Sequence, residues 1–158
     1  MTNDRKIALF HEASMRVWLR WVFLSTCLNF GWEILHFPLY NLSRTHAGGV
    51  PLWAILHCTL GDALISAFTF LITSVLLRTP NWPFMHPRQG LVFFVALAVT
   101  YTAFSEWKNT EIVGNWNYAP AMPQLWGAGV SPLLQWVVVP MITLWLQLGK
   151  VKFNKWFR

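Results

Sequence analysis

Charge is scarce in this chain. Only 11% of its 158 residues are Asp, Glu, Lys or Arg, and only six are acids. A soluble domain carries about a quarter charged residues, so an ordinary water-facing surface is excluded. Cysteine is scarcer still: Cys27 and Cys58 are the only two, and both fall inside apolar runs. That excludes a disulfide framework, and both thiols are expected to be buried as small apolar side chains. No Cys-x-x-Cys or His-Glu-x-x-His pattern occurs, so nothing in the spacing announces a metal site.

What the chain has instead is apolar length and tryptophan, with 55% hydrophobic residues and 11 Trp. A net charge of +6 would suit nucleic acid only if bases and accessible aromatics shared a face. Here the bases flank apolar runs, which is an arrangement for a membrane, and no nucleic-acid partner is expected. Four spans are expected, at about 17–36, 51–77, 91–107 and 130–148, each near the length that a hydrocarbon core of about 30 Å requires. In lipid the backbone must satisfy its own polar groups, so such runs are helical. The fold class is all-α, an integral membrane four-helix bundle forming one transmembrane domain over residues 1–158.

The bases set the orientation. Arg5, Lys6, Arg16 and Arg20 lie at or before the start of the first span, Arg78 and Arg88 between the second and third, and Lys150, Lys152, Lys155 and Arg158 after the last. Only Arg44 and Lys108 fall in the other connections. By the positive-inside rule both termini and the middle loop are cytoplasmic, in a multi-pass membrane protein. The first run could be taken for a cleaved signal, but it is long, carries Asn29 and Glu33 and lacks a small-residue cleavage site, so it is read as retained. Residues 1–16 suit a short interfacial helix, and the basic tail 149–158 suits anionic headgroups. Trp18, Trp21, Trp53, Trp107, Trp126 and Trp156 fit an interfacial aromatic belt. Residues 78–90 read as a proline-rich turn. The connection 108–129 is too long for a turn and is expected to form an ordered cap.

The polar exceptions carry the functional signal. Asn29, Glu33 and His36 stand four and three residues apart, so on a helix they share one face inside the first span. An ionisable group at bilayer depth costs roughly 2.5–3.5 kcal/mol, so it should face protein and have a partner. The expected topology supplies partners: Glu33 and His36 end the first span, His57 and Asp62 begin the second, Glu106 ends the third and Gln135 begins the fourth. All fall in the outer leaflet, with Glu33 and Asp62 deepest. The expected site is a pocket there, capped by residues 115–118. Glu33 and Asp62 would serve as acid and base, His57 or His36 as tuning or relay groups, and Glu106 as a further acid. Neighbouring carboxylates cannot both ionise cheaply, so one is expected to hold a proton. Asn29, Trp32, Trp116, Tyr118, Gln135 and Trp136 would contact the ligand, and Trp116 or Trp136 could offer a π face to a cationic intermediate. Each has a plainer reading: Glu33 with His36 or His57 as a structural pair, and Glu106 as an interfacial acid beside Trp107 and Lys108.

Three functions fit. The first binds, or acts by acid–base proton transfer on, a hydrophobic lipid-like small molecule. The second is a non-catalytic accessory subunit or assembly factor of a membrane complex. The third holds a metal or haem, with His36 and His57 as axial ligands. The cofactor is left unknown, and whether the chain is an enzyme stays open. Expected partners are membrane lipid, the hydrophobic ligand, and either another membrane protein or a second copy.

The run Asn-Phe-Gly-Trp-Glu-x-x-His-x-Pro-Leu-Tyr (29–40), with His-Cys-Thr-Leu-Gly-Asp-Ala, Ser-Glu-Trp-Lys-Asn and Ser-Pro-Leu-Leu-Gln-Trp-Val-Val-Val-Pro, resembles a family of small four-span bacterial inner-membrane proteins. That resemblance covers residues 29–140 and brings no activity with it. More distantly, Trp136 and Pro140 across Val137 to Val139 are similar to the emopamil-binding and sterol-isomerase superfamily, which implies four spans with intramembrane acids. Leu133 stands where that superfamily has an Asn, and its His and Glu spacing differs from that of Glu33 and His36.

Overall fold

The computed structural model describes residues 3–41 and 52–149, with side chains from residue 12 onward. Arg44, His46, the Gly48-Gly49 pair, Pro51 and the basic tail from Lys150 lie outside the described residues. A single helix, α1 (Asn3–His36), joins the polar N-terminal stretch to the first apolar run without a break, so the short separate helix expected over 1–16 does not form. It ends before Pro38, whose ring disfavours a helical conformation in the preceding residue. A 3₁₀ turn (Phe37–Leu39) follows, and Tyr40 leaves it extended.

Helix α2 (Leu52–Leu76) runs into a short connection carrying a four-residue helix, α3 (Trp82–Met85). Helix α4 (Pro87–Trp107) continues as a π turn to Val113, and α5 (Val130–Leu148) closes the described chain. The proline-rich stretch is thus more helical than expected, because Pro83 and Pro87 occupy first-turn positions, where a missing N–H costs nothing.

Three of the described helices are long and apolar enough to cross a membrane: α2, α4 with its extension to Val113, and α5. Helix α1 has length to spare, since 34 residues at about 1.5 Å each run roughly 50 Å. Arg20, Asn29 and Glu33 interrupt its apolar stretch. Helices α1 and α4 each pack against both α2 and α5.

The distribution of side chains is inverted relative to a soluble protein. Leu35, Phe23, Leu60, Phe68, Val75 and Val92 are well exposed, whereas Asn29, Ser66, Thr73, Gln135 and Thr143 are almost completely buried. Cys27 and Cys58 also face outward, so the expectation of buried thiols fails. Cys27 lies about 200° around the helix from Asn29 and so points away from the interior.

Where lipid surrounds the helices, association rests on packing and interhelical hydrogen bonds, each bond worth about 0.6 kcal/mol. Ser25 and Ser66 join α1 to α2 at 2.7 Å. Arg20 donates to the Leu146 carbonyl and Gln147 to that of Val17, joining α1 to α5. An aromatic core fills one half of the interior. Trp82 enters it from α3, with its ring 4.9 Å from that of Trp21 and 5.2 Å from that of Phe70.

The other end is closed by residues 108–129, which include a short hairpin of β1 (Gln124–Leu125) and β2 (Ala128–Gly129). Tyr40 and Tyr118 form an antiparallel bridge, Asn41 N–H donates to the Asn117 carbonyl at 2.7 Å, and Ala119 N–H donates to the Leu39 carbonyl at 2.9 Å. This cap is therefore tied to the end of α1 by backbone hydrogen bonds.

Candidate functional site

The buried polar residues of α1, α2 and α5 converge on one amide. Gln135 Nε2 donates to Asp62 Oδ2 at 2.8 Å and Asn29 Oδ1 at 3.1 Å, and lies 3.5 Å from Glu33 Oε1. Local structure makes this possible: Asn29 and Glu33 are four apart on α1, Asp62 is on the interior side of α2, and Gln135 is one turn into α5. Asp62 and Glu33 are also within hydrogen-bonding reach of each other. Asn29, Glu33 and Gln135 are buried, while Asp62 is partly exposed.

His36 extends the cluster outward. One ring nitrogen, Nε2, is 3.0 Å from Glu33 Oε1 and the other, Nδ1, is 3.0 Å from Ser131 Oγ. Its edge packs on Tyr40 with ring centroids 5.3 Å apart.

A second group forms around Glu106 beneath the cap. The Tyr118 hydroxyl donates a short hydrogen bond to Glu106 Oε2, and the Tyr40 hydroxyl lies 3.4 Å from both carboxylate oxygens. Gly129 N–H donates to the Tyr118 oxygen at 2.8 Å. A Cβ at Gly129 would sit 3.0 Å from Tyr118 Cε1 and 3.2 Å from Met122 Sδ, so both side chains would have to move by a few tenths of an ångström to admit one. The Trp116 ring stands edge-on to Tyr40 at 6.4 Å, and its buried N–H lies beside Glu106 outside hydrogen-bonding geometry. Burial, then the Glu106 charge, pushes the Tyr40 phenol well above the usual range. Burial, then the bond to Glu106, does the same to Tyr118. Both phenols remain donors at any physiological pH.

Of the residues expected at the site, the structure joins Asn29, Glu33, His36, Asp62 and Gln135 in one hydrogen-bonded cluster and places Glu106, Tyr118 and Trp116 in its neighbour. Trp32 shares the α1 face, with its indole N–H buried. Two residues lie elsewhere. His57 is exposed and packs on Trp53 at 6.0 Å, and Trp136 is buried against Phe94 in the aromatic core. At 100° per residue His57 is about 140° around α2 from Asp62, which turns it away from the interior.

The haem arrangement fails with it: His36 has both ring nitrogens occupied by Glu33 and Ser131, and His57 is on the other side of its helix. Among the described residues no group of three His, Cys, Asp or Glu side chains is placed to hold a metal ion. Ser131 and Tyr40 are contributors that the sequence reading passed over. Ser131 stands four residues before Gln135 and so shares its face, a signal present in the sequence. Tyr40 lies beyond the helix, where periodicity says nothing.

No family model matches the chain, no curated protein matches it and no solved structure matches it. Its chemistry therefore rests on the site itself: two carboxyl groups in reach of each other, an imidazole on one of them, and a third carboxylate held by two phenols. Such a set can bind a polar group in a dry interior and can exchange protons with it.

Proposed function

We propose that this chain is a four-helix bundle of a bacterial inner membrane with both termini cytoplasmic, and that it binds a hydrophobic small molecule at Glu33 and Asp62 and exchanges a proton with it. The convergence of Asn29, Glu33 and Asp62 on the Gln135 amide carries this reading. Two carboxylates side by side repel, whereas a proton held between them turns the contact into a hydrogen bond. That proton is available to a bound molecule. His36, bonded to Glu33, is the group through which the charge left behind is compensated, and partly exposed Asp62 is the side from which a ligand dissolved in the bilayer arrives.

The competing reading is an accessory subunit in which these residues only fasten helices together. Its support is that the Gln135 bonds each cross between α5 and another helix. Glu33→Gln and Asp62→Asn separate the two, because both preserve shape and most hydrogen bonds. The variants and the parent are purified in mild detergent, and retained apolar small molecules are measured by mass spectrometry beside the melting temperature. The proposed function expects retention to fall at least tenfold with melting little changed. Unchanged retention with a lowered melting temperature would leave the fastening role.

A further inference from the structure

Around the acids lie buried polar atoms that have no partner. Asn29 is fully buried, and while its oxygen is bonded to Gln135 its amide nitrogen donates to nothing. The Trp32 indole N–H, on the same face of α1, is likewise unpartnered. So are the Thr59 hydroxyl, one turn from Asp62 on α2, and the Thr102 hydroxyl, one turn from Glu106 on α4. Both threonines are buried. A buried donor left unmade costs roughly 1–3 kcal/mol, and such groups in native proteins ordinarily meet water or a ligand. Further unpartnered atoms, on Trp21, Thr73, Trp82 and Thr143, sit in or near the aromatic core away from the carboxylates.

The unmet groups beside the acids are three N–H donors, of Asn29, Trp32 and, next to Glu106, Trp116, and two hydroxyls, and an acceptor would satisfy all of them. An anion is disfavoured by Glu33, Asp62 and Glu106. A bare hydrocarbon would leave every one of them unmet. We infer that the site takes the uncharged oxygen of an amphiphile, an alcohol or carbonyl head on an apolar tail, with Asn29 and Trp32 donating to that oxygen and Thr59 and Thr102 closing around it. This rests on the proposed function and names the chemical class of its ligand. The head would lie among the acids and the tail among the outward-facing apolar side chains.

Three probes of one carbon skeleton test it: farnesol, the hydrocarbon farnesene and farnesylamine, each titrated into the full chain in detergent and followed by tryptophan fluorescence. Farnesol should saturate with one site per chain and bind at least tenfold more tightly than farnesene. Thr59→Val and Thr102→Val keep shape while deleting the polar atom, and each should weaken farnesol about tenfold, the effect of one lost hydrogen bond, with a much smaller change for farnesene. Equal binding of alcohol and hydrocarbon, or variants that bind farnesol as the parent does, overturns the inference. Should farnesylamine alone bind and do so through Asp62, the ligand is a cation: the inference falls and the proposed function stands. If none of the three saturates, water satisfies these groups and both fall.

Discussion

Gln135 has two amide hydrogens and three acceptors in reach, so the acids must supply the rest of the bonding themselves. Gln135→Leu strands Asn29, Asp62 and Glu33 together, and the expected loss is roughly 1–3 kcal/mol for the buried groups left unsatisfied, read as a lower melting temperature. Tyr40 and Tyr118 give a pH prediction. Their phenols hold their protons more tightly in the fold than in the unfolded chain, where about 10 is usual. The stability they contribute is therefore complete below pH 10 and is lost as pH rises above it. In a Tyr101→Phe variant, phenolate absorbance should appear only as the fold is lost; its appearance while the fold persists would contradict this. The α1 members of the cluster were legible because helical spacing alone puts Asn29, Glu33 and His36 on one face. His57 misled because proximity in sequence to Asp62 ignored helical phase.

Short segments, rather than the long helices, hold the two ends in place. Helix α3 sets Trp82 against Gly90 so closely that a Cβ at Gly90 would lie 2.0 Å from the Trp82 ring. That ring is fixed by Trp21, Phe70 and Phe94 and cannot yield. Gly90→Ala should cost about 1–3 kcal/mol by overpacking, visible in thermal unfolding. At the opposite end the hairpin turn puts Trp126 at φ 51° and Gly127 at φ 84°. Such a turn suits Asn-Gly, and a bulky first residue in the left-handed region costs roughly 1–2 kcal/mol. Trp126→Asn should therefore raise the melting temperature in detergent. The long helices were readable from their apolar runs. Neither α3 nor the hairpin was: α3 is held by rings contributed by other helices, and strands of two residues are too short to show an alternating pattern.

At the scale of the whole molecule, apolar side chains face out and polar ones face in, and this arrangement makes sense only with lipid outside. The proposed orientation predicts that alkaline phosphatase fused within the cap after Pro120 is active, and that a fluorescent protein fused after Arg158 fluoresces in the cytoplasm; the reverse pattern would invert the topology. The distribution of bases is what that proposed orientation rests on, whereas contact between Glu33 and Asp62 depended on the rotation of α1 and α2 about their own axes, which hydropathy does not encode. That contact is the centre of the account, and infrared difference spectroscopy of the carboxyl carbonyl stretch on adding farnesol tests it most directly. A carboxylic-acid band is expected that shifts with the ligand and disappears in both Glu33→Gln and Asp62→Asn. A band that ignores the ligand, or a shift that survives both substitutions, would contradict it.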